Sequence, residues 1–159
     1  FYVSSQHIPQ GTSSTFTTYP LELRTELNKT EFQEGEMITA RISLKNISNR
    51  TIIVVFPDTK DLDFNITDTN GRVVYSWSMP RAALFVVVKV TLKPDAELCR
   101  ILKQDLRDTE YPENQVPLLK GTYELIGLTT HAFAVHYENW EYAGIGGRLE
   151  TPPITITVN

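Results

Sequence analysis

Residues 62–77 contain the strongest structural signal in the chain, which is a pair of strands joined by a tight turn. Residues 62–67 alternate apolar and polar side chains, the period of a strand with one buried face. Asn70-Gly71 follows, and this dipeptide favours a hairpin because both residues tolerate a positive φ. Residues 72–77 then return with β-branched and aromatic side chains. A hairpin needs partner strands to be stable in water, so the rest of the chain must supply them.

Similar strand patterns recur along the chain and are separated by turn residues. They fall at residues 21–27, 38–44, 51–56, 62–67, 72–77, 84–92, 122–129, 133–137 and 154–158. No amphipathic helix pattern competes with them. We therefore predict an all-β fold, an antiparallel β-sandwich of about nine strands with an extended N-terminal arm.

Two of these patterns carry more specific expectations. Residues 51–56 are apolar on both faces, which predicts a central position in a sheet. Residues 84–92 are predicted to form one strand that is apolar on both faces over its first half. Pro94 favours a type I turn at residues 93–96. Residues 97–106 then fit either the partner strand of 84–92 or a short helix.

The N-terminal residues 1–20 differ in composition from the sandwich domain, which we place at residues 21–159. Residues 11–18 are mostly Ser and Thr and are too polar to form a core of their own. The arm nevertheless carries side chains that suit a strand, namely Phe1, Tyr2, Val3, Ile8, Phe16 and Tyr19. It therefore fits either a stalk or a strand that docks on the sheet edge of a neighbouring subunit.

The composition excludes several classes of protein. The net charge is −4 and no basic cluster is present, which argues against nucleic-acid binding. The longest apolar run, residues 82–88, is too short to span a membrane. The first residues lack the pattern of a signal peptide, so a secreted form must already have lost one. Cys99 is the single cysteine and cannot form an internal disulfide.

Four sequons indicate an extracellular or cell-surface protein that carries N-linked glycans. The acceptors are Asn28, Asn46, Asn49 and Asn65. The alternative interpretation is that they are ordinary polar turn residues. Asn65 is expected on the outward face of the 62–67 strand, where a glycan would block stacking on that face.

No catalytic or metal-binding motif is present, so we predict neither an enzyme nor a cofactor. Cys99 lies in an apolar run, where a free cysteine usually acts as a small buried hydrophobe. His131 and His136 are five positions apart on a predicted strand and point to opposite faces, so they cannot share a metal ion. His7 lies in the arm.

Polar and aromatic clusters remain to be interpreted. Acidic and amide side chains lie near the hairpin at Asp58, Asp61, Asp63, Asp68 and Asn70. They lack the spacing of a calcium loop and are interpreted as solvated turns. Trp77 is expected to anchor the core. The aromatic residues of the long loop near the C-terminus, Tyr137, Trp140 and Tyr142, are candidate contacts for a partner.

Several motifs together resemble the BsuPI intracellular proteinase inhibitor family. They are Asp63-Phe64, the turn Asn70-Gly71, the run Tyr75-Ser76-Trp77-Ser78, the turn Lys93-Pro94-Asp95 and Gly121-Thr122-Tyr123. The resemblance covers about residues 21–129 and implies an immunoglobulin-like sandwich. It also implies inhibition of a protease through a sandwich loop, with residues 107–117 and 78–83 as candidates. The arm, the sequons and an insertion at residues 131–153 depart from the family pattern.

Three functions compete at this stage. The first is a non-enzymatic secreted structural protein that adds its arm to a neighbouring copy and so forms a filament or surface layer. The second is a protease inhibitor of the BsuPI type. The third is an accessory binding domain of a larger surface protein. The expected partners are accordingly other copies of the chain or a different protein.

Overall fold

The computed structural model describes residues 12–78, 82–105, 118–130, 133–143 and 147–159. These residues contain twelve strands. In chain order they are β1 (Ser13–Thr18), β2 (Leu21–Leu27), β3 (Glu31–Phe32), β4 (Met37–Asn46), β5 (Ile52–Phe56), β6 (Leu62–Thr67), β7 (Val73–Ser76), β8 (Val88–Leu92), β9 (Glu97–Asp105), β10 (Gly121–Thr129), β11 (Ala134–Tyr137) and β12 (Ile154–Val158).

The strands form three sheets, in the orders β1-β2-β4-β9, β3-β12-β10-β6-β7 and β11-β5-β8. Every pairing is antiparallel except the short contact of β3 with β12. The predicted all-β, antiparallel, immunoglobulin-like sandwich is therefore confirmed. The strands that raise the number above the expected nine include the short edge strands β1 and β3.

The β6–β7 hairpin forms as its sequence pattern predicts. Asn65 pairs with Ser76, and the strands are offset by a bulge between Ile66 and Thr67. The Gly71 N–H donates to the Asp68 carbonyl at 3.0 Å. Gly71 has a φ of 79°, so only the glycine of the Asn-Gly pair adopts the left-handed conformation.

Alternation along the strands places one set of side chains in a shared core. In β2 and β4 every second residue is buried, and β5 alternates in the same way. The rings of Phe56 and Phe133 pack with centroids 5.6 Å apart. β5 lies in the centre of its sheet between β8 and β11, as its two-sided apolar pattern predicts.

At Gly127 the strand β10 lies very close to β2 of the other sheet. A Cβ at this position would lie 1.8 Å from Oγ1 of Thr25 on β2. Oγ1 of Thr25 and Oγ1 of Thr151 are 2.9 Å apart, and the Gly127 N–H donates to Thr151 Oγ1 at 3.1 Å. A glycine is required here because a buried polar bridge occupies the space of a side chain.

Three local expectations are corrected by the fold. Only Val88–Leu92 of the predicted strand 84–92 is a strand, and it pairs with β5. β9 is a strand, as one of the two alternatives had it, but it pairs with β4 in a different sheet. The turn at residues 93–96 is type II rather than type I, because Asp95 has a φ of 67°.

The N-terminal arm is partly integrated into the sheet of its own chain. β1 pairs with β2 in continuous register from Ser13 with Glu26 to Thr18 with Leu21. The main chain of residues 13–18 therefore already has an intramolecular partner along one edge. Residues 1–11 lie outside the described residues, and the division of the chain at residue 20 stays a prediction.

Candidate functional site

The most exposed apolar part of the described chain is a loop of four consecutive large side chains, which we call the 84–87 loop. The exposed fractions are 69% for Leu84, 93% for Phe85, 53% for Val86 and 63% for Val87. Single exposed apolar residues are normal on protein surfaces, but contiguous ones mark interaction sites. The 84–87 loop is therefore the leading candidate for a contact surface.

Hydrogen bonds with Thr59 fix the start of the 84–87 loop. The Leu84 N–H donates to Thr59 Oγ1 at 2.9 Å, and the Thr59 N–H donates to the Leu84 carbonyl at 3.3 Å. Thr59 itself is positioned by a local turn, since Asp58 accepts from the Lys60 N–H at 2.8 Å. The loop is thus attached to the folded body immediately before its most exposed residue.

A tight turn places Phe85 at the tip of the loop. The Val86 N–H donates to the Leu84 carbonyl at 2.9 Å, which closes a three-residue turn with Phe85 at its centre. Two residues further on, Val88 enters β8 opposite Phe56. The main chain on either side of Phe85 is therefore held by the sandwich.

The segment that precedes this loop is attached to the same region of the sandwich. Asp63 accepts hydrogen bonds from the Ser78 N–H at 3.0 Å and the Ser78 hydroxyl at 2.6 Å. Nζ of Lys60 donates to the Ser78 carbonyl at 2.9 Å. Ser78 and Leu84 are therefore both bound to the stretch between β5 and β6.

Asp63 is buried and accepts from several donors. Its carboxylate also accepts from the Phe64 N–H at 2.8 Å and from the Ser76 hydroxyl at 3.4 Å. Burial raises the pKa of Asp63 above its ordinary value, and the hydrogen bonds from Ser78, Phe64 and Ser76 act in the opposite direction. The Asp63-Phe64 and Ser76-Trp77-Ser78 motifs are therefore the parts of one structural clasp.

A small cleft lies beside this clasp. Its volume is about 250 Å³. It is lined by Thr59, Lys60, Asp61, Leu62, Trp77, Ala82, Arg100 and Leu102. Arg100 Nη2 and Nε donate to the two carboxylate oxygens of Asp61 at 2.6 and 3.2 Å, and this pairing raises the pKa of Arg100. This ion pair connects β9 to the stretch between β5 and β6, which also contains Thr59, the hydrogen-bond partner of Leu84.

The expectation that the acidic residues form solvated turns is wrong for three of them. Asp58, Asp61 and Asp63 are buried, and each accepts a backbone N–H from a nearby residue. Asp68 does serve the hairpin turn, where the N–H groups of Arg72 and Asn70 donate to it. The Arg72 N–H is the main cause that lowers the pKa of Asp68.

A second polar cleft, of about 400 Å³, lies on the other side of Asp63. Arg148 reaches this cleft from the segment before β12. With the Asn65 amide oriented so that both of its polar atoms have partners, Oδ1 accepts from Nη2 of Arg148 at 3.0 Å and Nδ2 donates to Ser76 Oγ at 3.1 Å. Asn65 is therefore half-buried among polar partners rather than projecting freely outward.

The predicted contact aromatics surround His136 at the edge of the third sheet. The ring centroids of Trp140 and Tyr142 lie 5.3 and 5.7 Å from that of His136. Lys89 Nζ lies 5.0 Å from the Trp140 ring centroid. This contact joins the aromatic group to β8, the strand that begins directly after the 84–87 loop. Trp140 and Tyr142 are exposed, and their role as contacts stays a prediction.

Tyr137 is the less exposed member of the predicted contact group. The guanidinium carbon of Arg50 lies 3.7 Å from the Tyr137 ring centroid.

Trp77 packs against the core but is only half-buried, and its Nε1 donates to the Lys103 carbonyl at 3.2 Å.

The sequons differ sharply in their surroundings. Asn28 and Asn49 are exposed, so their use stays a prediction. Asn46 is fully buried, and its Nδ2 donates to the carbonyls of Arg50 and Leu92 at 2.8 and 2.9 Å. The expectation of a glycan on Asn46 is corrected, because this fold occupies the nitrogen that a glycan requires.

The remaining predicted site residues are distributed as follows. Residues 106–117 and 79–81 lie outside the described residues, so the candidate loop 107–117 and the centre of 78–83 are not placed. The arm residues Phe1, Tyr2, Val3 and Ile8 are likewise outside, whereas Phe16 and Tyr19 are exposed. Cys99 is half-buried on β9, and burial raises the pKa of its thiol.

Two further features concern metal binding and membrane crossing by the described residues. No group of three or more His, Cys, Asp or Glu side chains there is arranged to hold a metal ion. Within the same part of the chain, no helix has the length and apolar character needed to cross a membrane.

The fold is an immunoglobulin-like β-sandwich in which the clasp joins Asp63 on β6 to Ser78 at the end of the hairpin. The family model BsuPI, described as intracellular proteinase inhibitor, matches residues 25–131. The chain therefore belongs to the BsuPI family. The predicted resemblance is confirmed, and the matched residues include the clasp and the 84–87 loop.

Comparison with other proteins adds little to this assignment. No curated protein matches the chain. The CARDB domain of a Pyrococcus furiosus protein is 12% identical with a TM-score of 0.41, covering 85% of this chain and 84% of that one. The putative ApaA protein from Bordetella pertussis is 13% identical with a TM-score of 0.42, covering 87% and 95%.

A Listeria innocua β-glucosidase is also similar over part of its length. It is 16% identical with a TM-score of 0.43, and the match covers 87% of this chain but 16% of the enzyme. Similarities of this size carry no argument about function.

The family match overturns two expectations. The expected structural protein that assembles through its arm is wrong, because the family is one of proteinase inhibitors. The expected extracellular or cell-surface location is also contradicted, because the family is described as intracellular. The sequons were an unreliable signal, since Asn46 shows that one of them is simply a buried structural asparagine.

Sequence reasoning missed the 84–87 loop as a site. The pattern of residues 84–92 predicts one strand that is apolar on both faces over its first half, whereas only Val88–Leu92 is a strand. The succession of apolar residues from Leu84 to Val87 was not a sufficient signal, because the equally apolar residues 52–56 form the central strand β5.

Proposed function

We propose that this chain is a non-enzymatic proteinase inhibitor that contacts its target through the 84–87 loop. The observation that carries the proposal is the exposure of four consecutive apolar side chains on a loop whose start is hydrogen-bonded to Thr59. Membership of an inhibitor family supplies the class of partner.

The attachment of the loop supports this role. A flexible peptide in a proteinase cleft loses conformational entropy on binding, whereas a loop already held in place loses less. The hydrogen bonds at Leu84 and the β5–β8 ladder at Val88 hold the loop before any partner arrives. Such a loop binds tightly without requiring a rearrangement of the sandwich.

The exposed aromatic group at Trp140 and Tyr142 is proposed as a flanking contact. Lys89 lies on β8, two residues after the loop ends, and its ammonium group lies 5.0 Å from the Trp140 ring centroid. Aromatic side chains at the border of an interface often add binding energy. This part of the proposal keeps the sequence-based interpretation of these residues but gives them a secondary role.

The experiment is an inhibition assay against serine proteinases of different specificities. The combined variant Leu84→Ser, Phe85→Ser and Val86→Ser is expected to raise the inhibition constant by about 100-fold or more. Phe16→Ser is the control, because Phe16 is an exposed aromatic on the far edge strand β1. Both variants should keep the circular dichroism of the wild type.

Two outcomes would contradict the proposal. If the loop variant inhibits as well as the wild type, the contact lies elsewhere on the sandwich. If the folded wild-type chain inhibits no member of the panel at micromolar concentration, the proposed function itself is wrong.

A further inference from the structure

The geometry of the 84–87 loop points to a particular kind of target, an inference that rests on the proposed function. We propose that Phe85 enters the primary specificity pocket of the proteinase. The target is accordingly a proteinase that recognises large aromatic or apolar side chains. Leu84, Val86 and Val87 would line the rim of the cleft around it.

The first argument is the exposure of Phe85. At 93% it is almost completely free of contact with its own chain, whereas its neighbour Val86 is 53% exposed. A side chain that fills a pocket in a partner must be accessible on all sides before binding. Phe85 meets this condition better than any other large hydrophobic side chain in the described part of the chain.

The second argument is the direction that the main chain gives to this side chain. The turn closed by Val86 and Leu84 places Phe85 at the outermost point of the loop. The Leu84 carbonyl accepts from both Val86 and Thr59, so the residue before Phe85 is held by the sandwich. A partner therefore meets the Phe85 ring first.

The third argument is the size and chemistry of the side chain. Aromatic rings supply a large contact area with only two rotatable bonds, which makes them effective pocket anchors. The neighbouring valines are shorter and β-branched, so they reach less far from the main chain. Charge does not determine the contact at this point, because all four side chains of the loop are apolar.

The experiment exchanges the side chain at position 85 and follows the specificity of inhibition. The assays use proteinases specific for aromatic, basic and small side chains. Phe85→Tyr should inhibit the first within about threefold of the wild type, and Phe85→Ala should lose about 100-fold. Phe85→Lys should lose inhibition of the aromatic-specific enzyme and gain inhibition of the basic-specific one.

Phe16→Lys is the matched control, because it makes the same substitution at an exposed phenylalanine on the edge strand β1, outside the 84–87 loop. It should leave the inhibition of every enzyme in the panel unchanged. The intact mass of each variant is measured after incubation with enzyme. An inhibitor stays largely uncleaved during the assay, whereas a substrate is cleaved and loses its intact mass.

The outcomes separate the two proposals. If the wild type inhibits but Phe85→Lys and Phe85→Ala inhibit equally well, the assignment of Phe85 is wrong and the inhibitory function stands. If neither the wild type nor any variant inhibits any enzyme, both the inhibitory function and the assignment of Phe85 are wrong. Dimerisation of the wild type that Phe85→Ala abolishes, without inhibition, would instead identify the loop as a self-association surface and overturn the assignment.

Discussion

The β6–β7 hairpin and the 84–87 loop are both rich in apolar residues, but the fold uses them in opposite ways. In β6 the side chain of Phe64 is completely buried, whereas Phe85 is the most exposed large hydrophobic side chain of the described residues. Strand β6 alternates apolar with polar residues and is paired on both sides, with β10 and with β7. The loop does not alternate, and its four side chains are exposed.

The difference shows that apolar composition alone does not place a segment in the core. Burial requires a second surface that matches the periodicity of the segment. A contiguous apolar stretch that lacks such a surface and stays exposed is typical of an interaction site. The comparison therefore divides the molecule into a scaffold, whose changes should affect stability, and a loop, whose changes should affect inhibition.

The largest expected effect on stability comes from the scaffold variant Phe64→Ala. Removing this buried ring should lower the free energy of unfolding by about 4 kcal/mol, since it leaves a cavity between the sheets. Urea denaturation measures the loss. A decrease below about 1 kcal/mol would break the comparison, because Phe64 would then not be a core residue.

Asp63→Ala should have the next largest effect, because it removes the acceptor of the clasp. The N–H groups of Phe64 and Ser78 and the hydroxyls of Ser76 and Ser78 would lose their partner. We expect a loss of about 3 kcal/mol in the free energy of unfolding. Urea denaturation provides the value.

The same variant also tests whether the clasp supports the loop. Releasing Ser78 should raise the inhibition constant by about tenfold, because the loop becomes less ordered before binding. Asp68→Ala is the control, since it alters only the turn of the hairpin. Equal inhibition by wild type and Asp63→Ala would show that the clasp is purely structural.

Gly127→Ala tests the close packing of β10 against β2. The new Cβ would collide with Thr25 Oγ1, so the threonine bridge must move. The expected loss is about 2 kcal/mol in thermal or chemical denaturation. The double variant Gly127→Ala, Thr25→Ser retains the hydroxyl and should not recover stability. Partial recovery by Gly127→Ala, Thr25→Ala would attribute the recovered part to the hydroxyl clash, and a Gly127→Ala variant as stable as the wild type would contradict the close packing.

The pH dependence of stability should distinguish two aspartates of the hairpin. Burial raises the pKa of Asp63 in the folded state above its ordinary value of 3.8, so the folded chain binds more protons than the unfolded chain between the two values. Its contribution to the free energy of unfolding therefore increases as the pH falls through that window. The neutral variant Asp63→Asn lacks this contribution.

Asp68 is the matched control, because its pKa is shifted in the direction opposite to that of Asp63. Its pKa is lowered in the folded state, so its stabilising contribution is present above the unfolded value of 3.8 and is lost as the pH falls through the folded value. Relative to Asp63→Asn the wild type should gain stability on acidification, and relative to Asp68→Asn it should lose stability. Denaturation curves over a pH series measure both differences. Slopes of the same sign would refute the assignment.

The smallest expected effect on stability belongs to Phe85→Ala. Since the ring makes little contact with its own chain, the free energy of unfolding should change by less than about 0.5 kcal/mol. This is the same substitution as Phe64→Ala, so the two denaturation curves compare a buried and an exposed phenylalanine directly. A loss of more than about 1 kcal/mol would mean that Phe85 packs on the sandwich in solution.

The sequence was sufficient for those features that local patterns determine. Alternation identified the faces of β2, β4 and β6, and the Asn-Gly turn located the hairpin. It was insufficient for partner choice, because a period of two assigns a face but not a neighbour. β9 pairs with β4 rather than with the strand before it for reasons that lie in long-range packing.

The clasp could have been predicted only in part. Ser76 and Ser78 are two residues apart and so lie on one face of an extended chain, which is a signal for shared polar contacts. Nothing in the local sequence shows that Asp63 faces them. Burial of a carboxylate requires several donors, and these come from the hairpin return.

The most direct test of the central account is hydrogen–deuterium exchange of the chain with an aromatic-specific serine proteinase. We expect slower exchange in peptides that cover the 84–87 loop, with β2 and β6 unchanged. Blocking the proteinase active site beforehand with a small covalent inhibitor should abolish this protection. Protection that appears only outside the loop and the Trp140–Tyr142 group, or no protection at all, would contradict the account.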